Sequence, residues 1–275
     1  MNASFAIRLG LSVIALCGAL LGSAQAATPA PREAVRALAP SGTLRAAINL
    51  GNAVLAQTTA SGELRGVTVD LARELGARLG VPVVLVPFQA AGEVFAALKE
   101  DRWDVAFMAV EPARATDVDF SSPYALIEAT YMVRKDSPLR EVAEVDRPGV
   151  RIAVGRGSAY DLYLTRTIKN ATLVRAATGG GTAMIDLFMA DKLEAVAGVR
   201  QQLAAFAATN PDMRIMQGRF QDVPQAVGIP KGRDAGAAYV SAFVEEAKAS
   251  GFVRKSLAAS GQGDVVVAPP AGRSK

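Results

Sequence analysis

A chain of 275 residues, 51% hydrophobic and 20% charged, is globular and long enough for two domains, because single hydrophobic cores stop growing near this size. The net charge of +4 is spread along the sequence without a basic run, which argues against a nucleic-acid-binding face. One cysteine and no histidine exclude a disulfide framework within the chain and every histidine-based metal or acid–base site.

Residues 1–26 read as a secretory signal. Arg8 is their only charge, Leu9 to Leu21 form an apolar core, and Ala24-Gln25-Ala26 fits the small-x-small cleavage pattern. The apolar core is too short for a comfortable membrane span. Cys17 follows Leu16, where a lipoprotein signal needs a small residue, so the expectation is a periplasmic protein beginning at Ala27 without a lipid anchor. Residues 27–41, with Pro29, Pro31 and Pro40, read as a poorly ordered lead-in holding a turn of helix near Glu33 to Leu38.

Gly42 to Asn49 reads as the first strand. Val67, Leu71, Leu75 and Leu79, four apart, predict one face of a helix closed by Gly80. Val81 to Phe88 is a β-rich run, Glu93 to Lys99 a short helix, and Val105 to Val110 a buried strand. This β-α-β-α-β order predicts a mostly parallel sheet with helices on its faces. A second such unit follows Pro148-Gly149: strands at Val150 to Val154, Thr172 to Val174, Glu194 to Gly198 and Met213 to Met216, with helices between. Gly179-Gly180-Gly181 leads into the second of those helices. Ser158 is placed to cap the helix from Ala159 to about Lys169, with Asp161 three residues on. Gln225 to Ile229 reads as a further strand. A helix capped by Asp234 ends at Gly251, Val265 to Val267 is a last short strand, and Pro269 to Lys275 is a frayed tail.

Ligands of open α/β sheets bind beyond the carboxyl ends of strands. Arg114 stands just past such an end, and its guanidinium offers a planar fork to a carboxylate or phosphate. Taken alone it is a solvated loop charge. Asn49 and Asn52 follow the first strand, where plain turn formation also explains them. Ser158 heads a helix behind Gly155-x-Gly157, a place that binds anions and that is equally an ordinary N-cap. Glu128 interrupts an apolar run, either exposed at a strand edge or paired with a cation in a cleft; Arg156 and Arg200 are further cleft candidates.

The order of a strand, Glu111-Pro112-Ala113-Arg114, then Val118 to Tyr124 (VDFSSPY), then an apolar strand ending Val133-Arg134-Lys135-Asp136, resembles the family 3 extracellular solute-binding proteins. These are the periplasmic receptors of polar amino-acid ABC importers. Gly62-Glu63-Leu64-x-Gly66-x-x-x-Asp70-Leu71-Ala72 and Phe188 to Ala197 (FMADKLEAVA) are similar to two further family motifs, and the resemblance spans nearly all of residues 42–260. It implies a two-lobe α/β fold of the type II periplasmic-binding-protein kind. Lobe one would comprise residues 42–131 plus 229–267 and lobe two residues 136–222, joined by hinge strands at Tyr131–Asp136 and about Asp222–Ile229.

The resemblance also implies that Arg114 clamps a ligand carboxylate and is solvent-accessible in the open form. The turn of Gly157 and Ser158 would touch the ligand from lobe two, and Asn49 would contact the ligand's side chain. Four positions depart from the family. Asn52 stands where many members place an aromatic, Ala109 where Ser or Thr is usual, Glu111 in place of Thr, and Val199 where an aspartate pairs with the ligand's α-ammonium. The resulting expectation is the binding component of an ABC importer: a monomer without metal or cofactor, with a small carboxylate-bearing ligand (a polar amino acid or related compound) and a membrane permease as partners. The rivals are a prephenate or arogenate dehydratase on the same fold, with Glu111 or Glu128 as its acid, and a soluble sensor partner of a membrane receptor.

Overall fold

Chain order already divides the molecule in two. The computed structural model describes residues 29–177 and 181–272. The signal segment with Cys17, residues 178–180 of the glycine-rich lead-in and the last three residues of the tail lie outside the described residues.

The first half contains α1 (Arg32–Leu38), β1 (Leu44–Asn49), a small hairpin of β2 (Gln57–Thr58) and β3 (Leu64–Arg65), α2 (Val67–Leu79), β4 (Val83–Phe88), α3 (Ala91–Ala96) and β5 (Val105–Ala109). After β6 (Val118–Phe120), the long strand β7 (Ala125–Arg134) carries the chain away. The second half contains β8 (Arg151–Gly155), α4 (Ala159–Thr167), β9 (Thr172–Ala176), α5 (Ala183–Ala190), β10 (Ala195–Val199), α6 (Arg200–Thr209) and β11 (Met213–Ile215). The equally long β12 (Gln221–Pro230) returns to the first half, followed by α7 (Asp234–Ala249), α8 (Phe252–Ala259) and β13 (Val266–Val267).

The two halves repeat one arrangement. In lobe one β4, β1 and β5 run parallel and β12 joins β5 antiparallel. In lobe two β9, β8 and β10 run parallel and β7 joins β10 antiparallel. The lobes connect where β7 and β12 pair with each other, Ala125–Ala129 against Gln225–Gln221.

Each lobe covers both faces of its parallel strands, which is why those strands read as continuous apolar runs. In β1 and β5, Ala46, Ile48, Val105 and Phe107 enter one cluster with Leu71, Leu75 and Phe243. Their neighbours Ala47, Ala106 and Met108 enter another with Trp103 and Val94. Lobe two does the same, with Ile152 and Val154 on one face and Ala153 and Val196 on the other. Strand side chains alternate, so one short strand builds two half-cores.

Helix α2 follows its periodicity: Val67, Leu71 and Leu75 are buried, and Gly80 ends the helix at φ 69°. Three departures have local causes. Residues 32–38 form a docked helix, because the prolines flank it and Ala34 and Leu38 are buried, Leu38 against Gly236 of α7. Gly251, at φ 78°, both ends α7 and opens α8, so the helix beyond it carries no separate start signal. Asp234 is the first residue of α7 and Arg233 its cap; the carboxylate complements the helix dipole without capping a backbone N–H.

Candidate functional site

Arg114 sits in the turn beyond β5, and its side chain folds back under the strand end. Nη1 donates to the carbonyl of Ala109 at 3.1 Å, and Nη2 crosses the cleft to the carbonyl of Gly157 at 2.9 Å. The residue is only 1% exposed. The reading of Arg114 as a solvated loop charge is therefore corrected: with the lobes touching, the guanidinium is sealed inside. Burial pushes its pKa down to about 10, partly offset by nearby Glu111, so it stays charged at neutral pH. Of five guanidinium N–H groups two are committed to carbonyls, and among the described residues no carboxylate pairs with it and three N–H groups remain uncommitted.

Beside Arg114 lies a cavity of about 60 Å³ between the lobes. Lobe one contributes Asn49 and Asn52 from the turn after β1, and Met108 and Ala109 from β5. The crossover strands contribute Ile127, Val223 and Gln225; lobe two contributes Ser158, Ala159 and Tyr160 at the start of α4, Val199 at the end of β10 and Gln202 in α6. Asn49, Asn52, Ala109, Arg114 and Ser158 thus come together from segments far apart in sequence. Among the described residues lining the cavity none is acidic.

The local structure of each polar residue determines what it can offer. Asn49 Oδ1 accepts from the Gly51 N–H at 3.0 Å and Asn52 Oδ1 from the Val54 N–H at 3.2 Å, both closing turns. Ser158 is the N-cap of α4, its Oγ accepting from the Asp161 N–H at 3.1 Å, while Asp161 Oδ2 accepts from the Gly157 N–H at 2.8 Å. Turn and cap readings therefore hold for all three, and all three also face the cavity. Tyr160 places its hydroxyl 3.8 Å from Met184 Sδ. Burial pushes the phenol up to about 12, so it is a protonated donor at neutral pH.

Three candidates fall elsewhere. Gly157 does not line the cavity. It adopts φ 70° at the cleft rim, where an added Cβ would stand 3.1 Å from Gly92 Cα across the lobes, and its carbonyl anchors Arg114. Glu111 is fully buried but turned away, accepting from Arg166 Nη1 of α4 at 2.6 Å and from Gln221 Nε2 at 3.1 Å. Glu128 follows Ile127 on β7 and so faces the opposite side of the sheet. It is partly exposed and paired with Arg200 at 2.5 Å and Arg219 at 3.2 Å. Arg200 is thereby drawn off the cavity as well, and Arg156 lies exposed on a neighbouring groove with Gly92 and Phe95. Among the described residues no three metal-ligating side chains gather.

Tyr160, Gln202 and Gln225 were not indicated by the sequence reasoning. The carboxyl-end rule that points to Asn49 and Arg114 reaches Gln202 too, just past β10. Gln225 is a polar residue, 4% exposed, within an apolar strand, which is the signal that singles out Glu128. Tyr160 carries no signal beyond its place at the start of α4.

Two α/β lobes, joined by a pair of crossover strands and enclosing a cavity with one buried cation, define a solute-binding protein of the cleft-closing kind. The model of the bacterial extracellular solute-binding proteins, family 3, matches residues 44–259, and the chain belongs to that family. The L-cystine-binding protein TcyJ of Escherichia coli is 26% identical over 182 residues, which is 63% of this chain and 65% of that protein. The match thus spans just under two thirds of that relative. Cyclohexadienyl dehydratase of Pseudomonas aeruginosa is 25% identical over 256 residues, 88% of this chain and 90% of the enzyme. Among solved structures, the arginine-bound substrate-binding protein AbpA of Streptococcus pneumoniae superposes with a TM-score of 0.70 at 22% identity, covering 82% of this chain and 97% of that one. The ancestral amino-acid-binding protein AncCDT-1, a precursor of cyclohexadienyl dehydratase, gives 0.68 at 22% identity, covering 80% and 96%. At such identities the structural likeness shows the shared fold.

Proposed function

We propose that this protein is the periplasmic binding component of an ABC-type importer, working as a monomer that delivers a small carboxylate-bearing solute to a membrane permease. The observation that carries the reading is Arg114: a buried guanidinium with N–H groups to spare, beside a cavity that has no acidic side chain. A ligand carboxylate supplies the missing counter-charge, and closure of the lobes shields the pair from water, where it is strongest. Gly157 and Ser158 bring lobe two to the same point, so the ligand is gripped from both sides.

The ligand's α-amine is absent, substituted or displaced in this reading. Val199, 6% exposed, lines the cavity where the resemblance places an aspartate for an ammonium group. A buried ammonium without a partner costs roughly 3–5 kcal/mol, or about two to four decades of affinity. Glu111 and Glu128, the two acids considered as partners for an amine, are both held in ion pairs with arginines.

Calorimetry with a panel of carboxylates tests the reading. Arg114→Ala should lose about 2–5 kcal/mol of binding energy, and Arg114→Lys should recover only part, since an ammonium lacks the fork. Unaltered affinity in Arg114→Ala would remove this residue from the site. The dehydratase relative favours a second reading, in which the cavity turns over prephenate or arogenate. That chemistry needs a positioned acid, and the engagement of Glu111 and Glu128 elsewhere supports binding over turnover. Formation of aromatic product from either substrate would reverse this preference.

A further inference from the structure

Resting on the carboxylate reading, the cavity's hydrogen-bond polarity narrows the ligand further. Asn49 and Asn52 each place one Oδ1 lone pair on a backbone N–H, which leaves the second lone pair and the whole Nδ2–H₂ to offer. Ser158 Oγ accepts from the Asp161 N–H, which leaves its hydroxyl hydrogen. The Tyr160 O–H lies near a thioether, a weak acceptor, and near the Ser158 hydroxyl, so the two hydroxyls together leave one hydrogen to offer. Arg114 keeps its uncommitted N–H groups. Gln202 commits its Nε2 to the carbonyls of Gly51 and Gly181 at 3.2 and 3.3 Å and retains Oε1, and Gln225, whose Nε2 is directed to the Val223 carbonyl at 3.5 Å, adds a second carboxamide oxygen.

With uncommitted amide and guanidinium donors and no acidic side chain among the described lining residues, the wall suits a ligand that accepts. An α-ammonium brings three donors and a charge the wall does not match, whereas an oxo group brings two lone pairs and no hydrogen. A hydroxyl lies between them. We infer that the ligand is a 2-oxo carboxylate, its carboxylate on Arg114 and its oxo oxygen on the amide and hydroxyl donors facing it.

Pyruvate, L-lactate, L-alanine and propionate share a carbon skeleton and differ only at C2, so they read this polarity directly. Titrated calorimetrically into exported protein stripped of carried ligand, pyruvate should bind saturably, at least tenfold tighter than lactate or propionate and at least a hundredfold tighter than alanine. Asn49→Asp and Asn52→Asp keep the turn-closing oxygen but remove the amide donors. Each should weaken pyruvate at least tenfold with the thermal midpoint little changed. Lactate or propionate binding as tightly as pyruvate, with loss in Arg114→Ala, would overturn the oxo assignment and leave the carboxylate reading standing. Unweakened pyruvate binding in both Asn variants would do the same. Alanine binding tightest, or no saturable binding by any of the four, would overturn the oxo assignment alone, whereas tight binding left unaltered in Arg114→Ala would overturn both.

Discussion

Strand β5 has a buried charge at each end, and the two are treated in opposite ways. Asp104, just before the strand, is wholly buried and fully matched. It accepts from the Arg45 backbone N–H at 3.0 Å, from Arg45 Nε and Nη2 at 2.9 Å each, and from Arg233 Nη1 at 3.1 Å. Burial alone would raise its pKa, but these hydrogen bonds outweigh burial and hold the carboxyl below its ordinary range. Arg114, beyond the other end, is as deeply buried and is met by carbonyl oxygens, with the nearby Glu111 carboxylate engaged by Arg166 instead. A charge whose partners come from its own chain contributes to the fold; a charge left short of them is set up for something that arrives later. The amino end of the strand is structure and the carboxyl end is site.

Removing the matched charge should have the largest effect. Asp104→Asn leaves two arginines facing each other, and it should cost about 3 kcal/mol in urea unfolding, the low end for a broken buried pair because both arginines keep contact with solvent. Ligand affinity should stay within about twofold, since no part of this cluster lines the cavity. The sign with pH follows. The folded pKa is depressed, so the contribution is complete above about pH 4 and is lost as pH falls through the folded value. The stability gap between the wild type and Asp104→Asn should close across that acid range, while the losses due to the other depressed carboxylates are common to both. A variant as stable as wild type at pH 7 would dissolve the contrast between the two ends.

Supplying the cavity with the acid it lacks sharpens the comparison from the other side. Val199→Asp should improve binding of plain α-amino acids by at least about tenfold, near 1.4 kcal/mol, and weaken 2-oxo acids. Parallel titrations of alanine and pyruvate read both changes, and no gain for alanine would mean that Val199 does not stand where an ammonium would lie. The smallest effect belongs to Glu111. Its ion pair with Arg166 ties lobe one to lobe two, but Arg166 is 41% exposed and water screens the pair. Glu111→Gln should weaken ligand binding by about 1 kcal/mol, seen in stopped flow as roughly fivefold faster release with unchanged association. Faster association instead would mean that the pair acts before closure.

Much of this was legible in the sequence. Apolar runs bounded by turn residues gave the parallel strands of both lobes, because strands covered on both faces carry no alternation to misread. The capping pair of Ser158 and Asp161 was visible from its spacing. The burial of Arg114 was not, since its second anchor is the carbonyl of Gly157, 43 residues away and in the other lobe. Glu111 and Glu128 looked alike as isolated carboxylates. Which of them faces the cavity depends on strand alternation and on arginines distant in sequence, and neither does. Tyr160 entered through the closing of one lobe on the other, which no local pattern encodes, whereas Gln225 stood out only as a polar residue within an apolar crossover strand.

The central claim is that Arg114 is a buried charge held for a ligand. Urea unfolding of wild type and Arg114→Met, with and without pyruvate at neutral pH, tests it most directly. Methionine keeps an apolar stem of similar length without the charge. The ligand-free variant should therefore be as stable as wild type or more stable by about 1 kcal/mol, and pyruvate should raise the midpoint of the wild type alone. A ligand-free Arg114→Met weakened by about 3 kcal/mol, the loss expected at Asp104, and still stabilised by pyruvate would show that Arg114 is a structural charge like its counterpart.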